Sequence, residues 1–139
     1  MKNILIDTNF IIAYLLELDE SHERAINLED EKGILNNNLY ITNHIIDEII
    51  TIIGQKASPK DAINTYRLIK DNFTIINEYE IINFNDKVIR MYNKLNKKNK
   101  QKIGFTDCAI IETAEFYNLD AIVTFDKGFK NNGIIDIIN

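Results

Sequence analysis

The chain has few cysteine, histidine, proline and glycine residues, and these low counts exclude several classes of protein. Cys108 is the only cysteine among 139 residues, which excludes an internal disulfide and a cysteine-based zinc site. The two histidines, His22 and His44, are too few and too far apart to form a metal cluster. One proline and five glycines, with 45% hydrophobic and 27% charged residues, are typical of a folded protein rather than a fibrous or disordered one. We therefore expect a packed core with Cys108 inside it.

Long apolar runs and an excess of positive charge are also missing. No segment approaches the roughly 20 apolar residues that cross a bilayer, and no signal-peptide pattern precedes the first predicted strand. We therefore expect a soluble, cytoplasmic protein without a membrane partner. The net charge of −5 argues against nucleic-acid binding by a broadly basic surface, so any such role needs a local feature. The length fits a single domain over residues 1–139.

Short apolar runs alternate with amphipathic stretches along the whole chain. The runs predicted as strands are Asn3–Asp7, Leu39–Thr42, Phe73–Ile76, Ala121–Phe125 and Ile134–Ile138. The stretches predicted as helices are Thr8–Leu18, Ser21–Lys32, Asn43–Gly54, Pro59–Asn72, Asn85–Asn96 and a last helix that opens at Asp107. This alternation predicts an α/β fold with a mainly parallel central sheet and helices on both of its faces.

Asp107 stands on the face of its predicted helix that should turn inward. The residues three, four and seven positions later are Ile110, Ile111 and Ala114, so the carboxylate shares their apolar face. An unpaired carboxylate against a core is costly, and a cation, a shifted pKa or several hydrogen bonds would offset that cost. The simpler alternative is a helix N-cap, in which Thr106 or Asp107 accepts from the free N–H groups of the first turn.

Two further acids follow predicted strands. Asp7 ends the first strand, and Asp126 follows the fourth. In a parallel sheet with right-handed crossovers, the carboxyl ends of the strands share one edge, where open α/β sheets bind ligands. The alternatives are a helix cap for Asp7 and, for Asp126, a turn formed with Lys127 and Gly128.

The fourth candidate acid is Glu48, on the third predicted helix. It lies three residues after Ile45 and four before Ile52, which places it beside the buried stripe of this helix. Its neighbour Asp47 is rotated from it by about 100° and should face solvent. His44 lies one helical turn before Glu48, and an ordinary surface histidine is the simpler interpretation of it.

Each of these four acids alone would be assigned to a cap or to the surface, but their combination is more specific. Four carboxylates at one sheet edge repel each other strongly unless their charge is neutralised, and hard divalent cations with oxygen ligands are the natural neutralisers. Such a site would bind Mg²⁺ or Mn²⁺. A magnesium ion binds through a few carboxylates together with a substrate phosphate, as hydrolysis of a phosphodiester requires.

Short motifs in the chain also resemble, in order, the four acidic motifs of PIN-domain nucleases. They are LIDTN at Leu5–Asn9, TNHIIDE at Thr42–Glu48, FTD at Phe105–Asp107, and TFD with KGF at Thr124–Phe129. The length and the order of elements match as well, so the resemblance covers almost the whole chain. It looks most like the single-domain VapC-like toxins of toxin–antitoxin pairs. The resemblance implies a PIN-like fold, a parallel sheet sandwiched by helices, and metal-dependent cleavage of RNA.

The resemblance also implies roles for individual residues. The catalytic and metal-binding acids would be Asp7, Glu48, Asp107 and Asp126. Beside them, Thr8, Asn9 and Thr124 would be supporting polar groups. One departure from the family pattern is Asp47, because such proteins commonly carry a small or apolar residue there. A VapC-like toxin would also have a cognate antitoxin as its protein partner.

Other functions of α/β chains with acids at strand ends fit less well. A haloacid-dehalogenase-like phosphatase needs a second Asp two residues after the first, where this chain has Asn9. A receiver domain needs paired acids after the first strand and a lysine after a late one, and neither pattern is present. Two alternatives remain within the resemblance: a stand-alone PIN-type nuclease that processes RNA, and a non-catalytic PIN-like module that binds a metal or a protein.

A run of lysines is the local basic feature that an acidic RNA-binding protein needs. It precedes the Asp107 helix, contains no acid, and comprises Lys94, Lys97, Lys98, Lys100 and Lys102. We expect these lysines to contact RNA phosphates on either side of the scissile one, with additions from Lys127 and Lys130. The alternative is that the run is a solvated loop.

The third predicted helix has more apolar residues than one core needs. Its isoleucines cover an arc wider than the stripe of about 100° that an amphipathic helix buries: Ile45, Ile46, Ile49, Ile50, Ile52 and Ile53. We expect some of them to contact another chain, and we expect a homodimer. The alternative is deeper burial under the helix that begins at Pro59.

Overall fold

The computed structural model describes residues 1–98 and 102–139, and two α-helices lie between each consecutive pair of the first four strands. The strands are β1 (Asn3–Ile6), β2 (Asn38–Thr42), β3 (Thr74–Ile76), β4 (Ala121–Val123) and β5 (Asp136–Ile138). The helices are α1 (Thr8–Leu15), α2 (His22–Lys32), α3 (Asn43–Lys56), α4 (Pro59–Asn72), α5 (Phe84–Lys98) and α6 (Phe105–Phe116). Short 3₁₀ turns lie at Ile34–Asn36, Glu78–Glu80 and Lys127–Phe129.

The five strands form one parallel sheet in the order β3-β2-β1-β4-β5. At its centre, Leu5 of β1 is in register with Tyr40 of β2 on one side and with Ile122 of β4 on the other. Because all strands run in the same direction, their carboxyl ends share one edge, and the segments that follow β1 and β4 are neighbours there. The predicted α/β class, with a parallel central sheet flanked by helices, is confirmed.

The core is built from the strands and the apolar faces of the helices. Ile4, Leu5 and Ile6 have no exposed surface, as expected of a central strand that is covered on both faces. Cys108 is fully buried on α6, as predicted. Within the described residues, no helix combines the length and the apolar composition needed to cross a bilayer.

The isoleucines of α3 are used mainly inside the chain. Ile45, Ile46, Ile49 and Ile53 are buried, and Ile50 and Ile52 are partly buried against the same core. α3 packs closely against α4, the helix that begins at Pro59. Deeper burial under α4, rather than contact with another chain, therefore accounts for most of the wide apolar arc.

Three element boundaries differ from the predicted ones where they concern the acids. β1 ends at Ile6 instead of Asp7, because Asp7 is the N-cap of α1 and its side chain accepts from the Thr8 N–H. α6 begins at Phe105 with Gly104 at its N-cap, so Asp107 lies within the first turn instead of opening the helix. β4 ends at Val123, because the Phe125 N–H donates to the side chain of Asn9 and not to a neighbouring strand. Asp126 consequently follows a short loop and occupies the N-cap of the 3₁₀ turn Lys127–Phe129.

Candidate active site

One cleft of about 440 Å³ at the carboxyl edge of the sheet is lined by all four predicted acids. Asp7 follows β1, Glu48 lies on α3, Asp107 on α6, and Asp126 after β4. Two of the predicted supporting residues, Thr8 and Asn9, also line this cleft. The parallel sheet thus brings together side chains that are far apart in the sequence.

Asp7 is a buried acid, with 7% of its surface exposed, held by two hydrogen bonds. Its Oδ1 accepts from the Thr8 N–H at 2.8 Å, and its Oδ2 accepts from Thr124 Oγ1 at 2.8 Å. Burial raises the pKa of Asp7 above its ordinary value and the charges of Glu48 and Asp126 add to the rise, whereas both hydrogen bonds act to lower it. Asp7 also caps α1, so the predicted cap is present, and the same residue lines the cleft.

Thr124 is the centre of a hydrogen-bond network behind the acids. Its side chain has no exposed surface. Besides donating to Asp7, Thr124 Oγ1 accepts from Asn9 Nδ2 at 3.2 Å and from the Asp126 N–H at 3.1 Å. Asn9 Oδ1 in turn accepts from the Phe125 N–H at 3.0 Å. The network ties the start of α1 to the loop after β4 and so fixes the spacing between Asp7 and Asp126.

Glu48 reaches the cleft from α3, whereas its neighbour Asp47 is exposed and does not line it. Thr8 Oγ1 donates to Glu48 Oε2 at 2.9 Å, and His44 Nε2 lies 3.4 Å from Glu48 Oε1. The helical spacing predicted this difference, with Glu48 beside the buried face of α3 and Asp47 facing solvent. Thr8 and His44 hold the Glu48 carboxylate in one orientation.

Asp107 and Asp126 are close enough for a hydrogen bond between their side chains. Burial, followed by the charges of Asp126 and Asp7, raises the pKa of Asp107 to about 7. The N-cap alternative for Asp107 is wrong, because Gly104 holds that position. For Asp126 the turn is present as predicted, since its Oδ1 accepts from the Gly128 N–H at 2.8 Å.

The cleft has the chemistry of a divalent-cation site. Carboxylate oxygens are the ligands that Mg²⁺ and Mn²⁺ prefer. Burial and, after it, the charges of neighbouring carboxylates raise the pKa values of Asp7 and Asp107, and a bound cation would neutralise that charge. As the side chains stand in residues 1–98 and 102–139, no group of three or more His, Cys, Asp or Glu could hold a metal ion. The four acids therefore have the right ligand atoms for such an ion and line the same cleft. Their carboxylates would have to move closer to one another to ligate it.

The predicted RNA-contacting lysines lie outside this cleft wherever the structure describes them. Lys94 lines a different cleft between α5 and α6, and Lys97 is exposed. Lys102 Nζ donates to the Asn96 carbonyl oxygen at 2.7 Å, and its own carbonyl oxygen lies beside Gly128, in the turn that contains Asp126. The lysine run thus ends next to the acids without lining their cleft. Lys100 and the side chain of Lys98 lie outside the described residues, and exposed Lys127 follows Asp126 directly.

Lys56 was not predicted from the sequence, yet it lines the acidic cleft from the last turn of α3. Its helical spacing could have indicated this position, because Lys56 lies eight residues after Glu48 and four after Ile52, on the same side of α3. Asp19 and Glu20 also line the cleft, from the segment between α1 and α2. No periodic pattern marks these two acids, because they lie in an irregular connection.

Comparisons with known proteins agree with this architecture. Residues 4–134 match the PIN domain, so the chain belongs to the PIN domain family, as its motifs predicted. No curated protein matches the chain in sequence. VapC20 of Mycobacterium tuberculosis, a sarcin-ricin loop cleaving toxin, has a similar structure, with a TM-score of 0.71 and 16% identity over 98% of this chain and 99% of that one.

Two further solved structures have the same fold. The DNA-bound VapBC of Salmonella typhimurium has a TM-score of 0.68 and 17% identity, over 99% of this chain and 97% of that one. FitAcB of Neisseria gonorrhoeae has a TM-score of 0.67 and 21% identity, over 98% of this chain and 96% of that one. At such identities the likeness is one of fold.

Proposed function

We propose that this PIN domain is a metal-dependent endoribonuclease, the toxin of a toxin–antitoxin pair, acting in the cytoplasm. The observation that carries the proposal is the convergence of Asp7, Glu48, Asp107 and Asp126 on one cleft of a PIN fold. The likeness to VapC20, a toxin that cleaves the sarcin-ricin loop, supports RNA as the substrate class.

The four acids would hold one or more Mg²⁺ or Mn²⁺ ions, and the scissile phosphate would bind to the metal rather than to the carboxylates. When bound, such an ion supplies a water of lowered pKa and neutralises charge on the phosphate. Thr124 holds Asp7 Oδ2 and Thr8 holds Glu48 Oε2, so two hydroxyl groups keep two of the carboxylates oriented toward the cleft. In-line attack by water then leaves a 5′-phosphate and a 3′-hydroxyl, without a covalent enzyme intermediate.

The side chains most often used for covalent catalysis are engaged elsewhere. Cys108 is fully buried, and burial, with a contribution from Asp107, raises its pKa to about 11. A thiol in that state is protonated at neutral pH and is a poor nucleophile. His22 Nδ1 pairs with the Ala13 carbonyl oxygen at 2.7 Å, and His44 Nε2 lies 3.4 Å from Glu48 Oε1, so the contacts of both histidines are to groups other than a serine or a cysteine.

An antitoxin is the proposed protein partner. The VapBC and FitAcB structures, and a toxin–antitoxin complex from Klebsiella pneumoniae with a TM-score of 0.67, support this proposal. The chain also exposes large apolar side chains that contact surfaces typically use, among them Ile63 and Leu68 on α4, at 53% and 54% exposure. Exposed Ile89 and Tyr92 on α5 offer a second apolar surface, and we propose a homodimer as the state without antitoxin.

The decisive experiment maps new RNA ends after brief expression and repeats the cleavage with purified protein and Mn²⁺. We expect new 5′-phosphate ends, loss of cleavage in EDTA, and at least about a 100-fold loss in Asp7→Asn, since catalysis needs each metal-binding acid. Asp47→Asn, on the exposed neighbour of Glu48, is the control and should cleave normally. Cyclic-phosphate ends, or activity that survives EDTA or the Asp7→Asn change, would overturn the mechanism.

Two other functions remain as outcomes of the same work. A protein that binds Mn²⁺ but cleaves no RNA would be the non-catalytic PIN-like module. Cleavage that no neighbouring gene product inhibits would identify a stand-alone PIN-type processing nuclease.

A further inference from the structure

A second cavity, of about 200 Å³, lies beside the acidic cleft at the same edge of the sheet. The starts of α3, α5 and α6 and the turn after β3 enclose it, and its wall includes His44, Glu78, Tyr79 and Phe105. His44 pairs with Glu48 of the acidic cleft at 3.4 Å, and α6 carries both Phe105 and Asp107. The two sites are therefore adjacent.

Glu78 gives this cavity its chemical character. Its side chain is 6% exposed, and its Oε1 is the only buried side-chain polar atom without a hydrogen-bond partner in residues 1–98 and 102–139. A buried carboxylate oxygen without a donor costs free energy, and such groups in native structures usually have a partner. The backbone is anchored, because the Glu78 N–H donates to Asn43 Oδ1 at 3.0 Å. Since the terminal torsion of Glu is broad, the carboxylate can rotate until both of its oxygens face a ligand in the cavity.

Aromatic rings at the same cavity are exposed to solvent. Tyr79 is 80% exposed and Phe105 is 40% exposed. The ring of Phe105 lies 6.3 Å from that of Tyr92, centroid to centroid, which supports it from one side. Exposed aromatic rings beside a hydrogen-bonding group are the arrangement on which proteins stack and read the unpaired bases of single-stranded RNA.

We propose that this cavity binds a guanine base of the RNA strand that occupies the acidic cleft, an assignment that rests on the proposed ribonuclease function. The Watson–Crick edge of guanine presents two adjacent donors, N1–H and N2–H₂, and the two oxygens of the Glu78 carboxylate accept both. Uracil presents one donor between two acceptors, and the carboxylate repels those acceptors. Adenine and cytosine each place an acceptor beside their amino group. The cavity is smaller than the about 300 Å³ of the smallest typical ligand pockets, which suits one base and not a larger ligand.

The test titrates guanosine, inosine, adenosine and uridine against the metal-free protein, with binding followed by NMR shifts of the aromatic side chains. These nucleosides carry no phosphate, so their binding is independent of the acidic cleft and of catalysis. We expect guanosine to bind at least about 10-fold more tightly than inosine, which lacks the 2-amino group, and than uridine, since a bidentate pair confers discrimination of that order. Glu78→Gln should remove most of this preference.

Two further variants make the result specific. Glu80→Gln, on the exposed glutamate of the same 3₁₀ turn, should leave the preference for guanosine unchanged. Phe105→Leu should weaken the binding of all four nucleosides by similar factors, because stacking is tolerant of base identity. Guanosine should remain the nucleoside that binds most tightly. Equal binding of the four nucleosides, or an unchanged preference in folded Glu78→Gln protein, would overturn the proposal.

Failure of the guanine site and failure of the ribonuclease function give different results. RNA cleavage without preference for guanosine would refute the site alone, whereas guanosine preference without RNA cleavage would refute the nuclease and leave the base site standing. If Glu78→Gln weakens a complex with a co-purified protein and leaves nucleoside binding unchanged, the cavity receives a protein side chain and the proposal is wrong.

Discussion

Thr124 Oγ1 donates a hydrogen bond of 2.8 Å to Asp7 Oδ2 and so joins the segments that follow two neighbouring strands of the sheet. The same oxygen accepts from Asn9 Nδ2 and from the Asp126 N–H. One buried hydroxyl group therefore positions two of the four acids, and its removal leaves Asp7 Oδ2 without this donor.

Thr124→Val should reduce cleavage by at least about 10-fold and destabilise the fold by about 1–3 kcal/mol, the range for an unsatisfied buried partner. The matched control is Thr113→Val. Thr113 is equally buried, but its Oγ1 donates to the Ala109 carbonyl oxygen within α6. We expect the control to lose some stability and keep its cleavage rate, measured at a temperature where both variants are folded. Equal losses of cleavage in the two variants would show that Thr124 has no specific positioning role.

Glu48→Gln and Asp47→Asn provide a second test, because they change adjacent acids that face different ways. Glu48 lines the cleft and accepts from Thr8 Oγ1, whereas Asp47 is exposed. We expect Glu48→Gln to lower Mn²⁺ affinity, measured by calorimetry, by about 10-fold or more, since a carboxylate ligand becomes a neutral amide. Asp47→Asn should leave the affinity unchanged. A loss of Mn²⁺ affinity in Asp47→Asn but not in Glu48→Gln would show that Asp47, and not Glu48, belongs to the site.

The raised pKa of Asp107 predicts that the metal-free protein loses stability as the pH rises. Because its folded pKa of about 7 exceeds the ordinary value of 3.8, the folded chain holds an extra proton between about pH 4 and 7. The free energy of unfolding therefore falls across that window. Asp107→Asn should abolish this contribution and stabilise the metal-free protein at pH 8 by about 1–2 kcal/mol, a value discounted for the partial exposure of the side chain.

Thermal melts at pH 4 and pH 8 measure the effect. The variant should melt a few degrees above the parent protein at pH 8 and close to it at pH 4, and Mn²⁺ should raise the melting temperature of the parent protein more than that of the variant. Equal pH dependence of the two proteins would contradict the prediction.

Salt dependence separates the two sources of positive charge. Replacing Lys94, Lys97, Lys98, Lys100 and Lys102 with Gln should weaken RNA binding and flatten its salt dependence, by about 0.7 in logarithmic slope for each phosphate that is no longer neutralised. Lys56→Gln, inside the acidic cleft, should flatten the slope by the amount expected for a single phosphate. Lys60→Gln, on the exposed start of α4, is the control. If the slope is unchanged in the five-lysine variant, the run is a solvated loop.

The partner prediction needs two measurements. Light scattering on the isolated protein should give a mass near twice 16.1 kDa, as expected for a homodimer. Co-expression with the product of the adjacent gene should abolish RNA cleavage, because an antitoxin inhibits its toxin by binding it. A monomer whose activity no neighbouring product changes would contradict both parts.

The fold class and the locations of the four acids along the chain could be predicted from the amino-acid sequence. Alternating apolar runs and amphipathic stretches predict a parallel sheet, because each period specifies which face of an element is buried. The same arithmetic distinguished Glu48 from Asp47, since residues one position apart on a helix point about 100° apart. Acids directly after strands predict a shared edge, because parallel strands all end on one side.

Which side chains meet depends on the packing of the elements against each other. The pairing of β1 with β4 brings Thr124 next to Asp7. These residues are 117 positions apart in the sequence, so no local sequence pattern predicts their contact. The cap of α6 by Gly104 and the burial of Glu78 likewise follow from that packing. Local periodicity specifies the face on which a residue lies, whereas its neighbours, and therefore its pKa and its hydrogen bonds, follow only from the order of strands and the docking of helices.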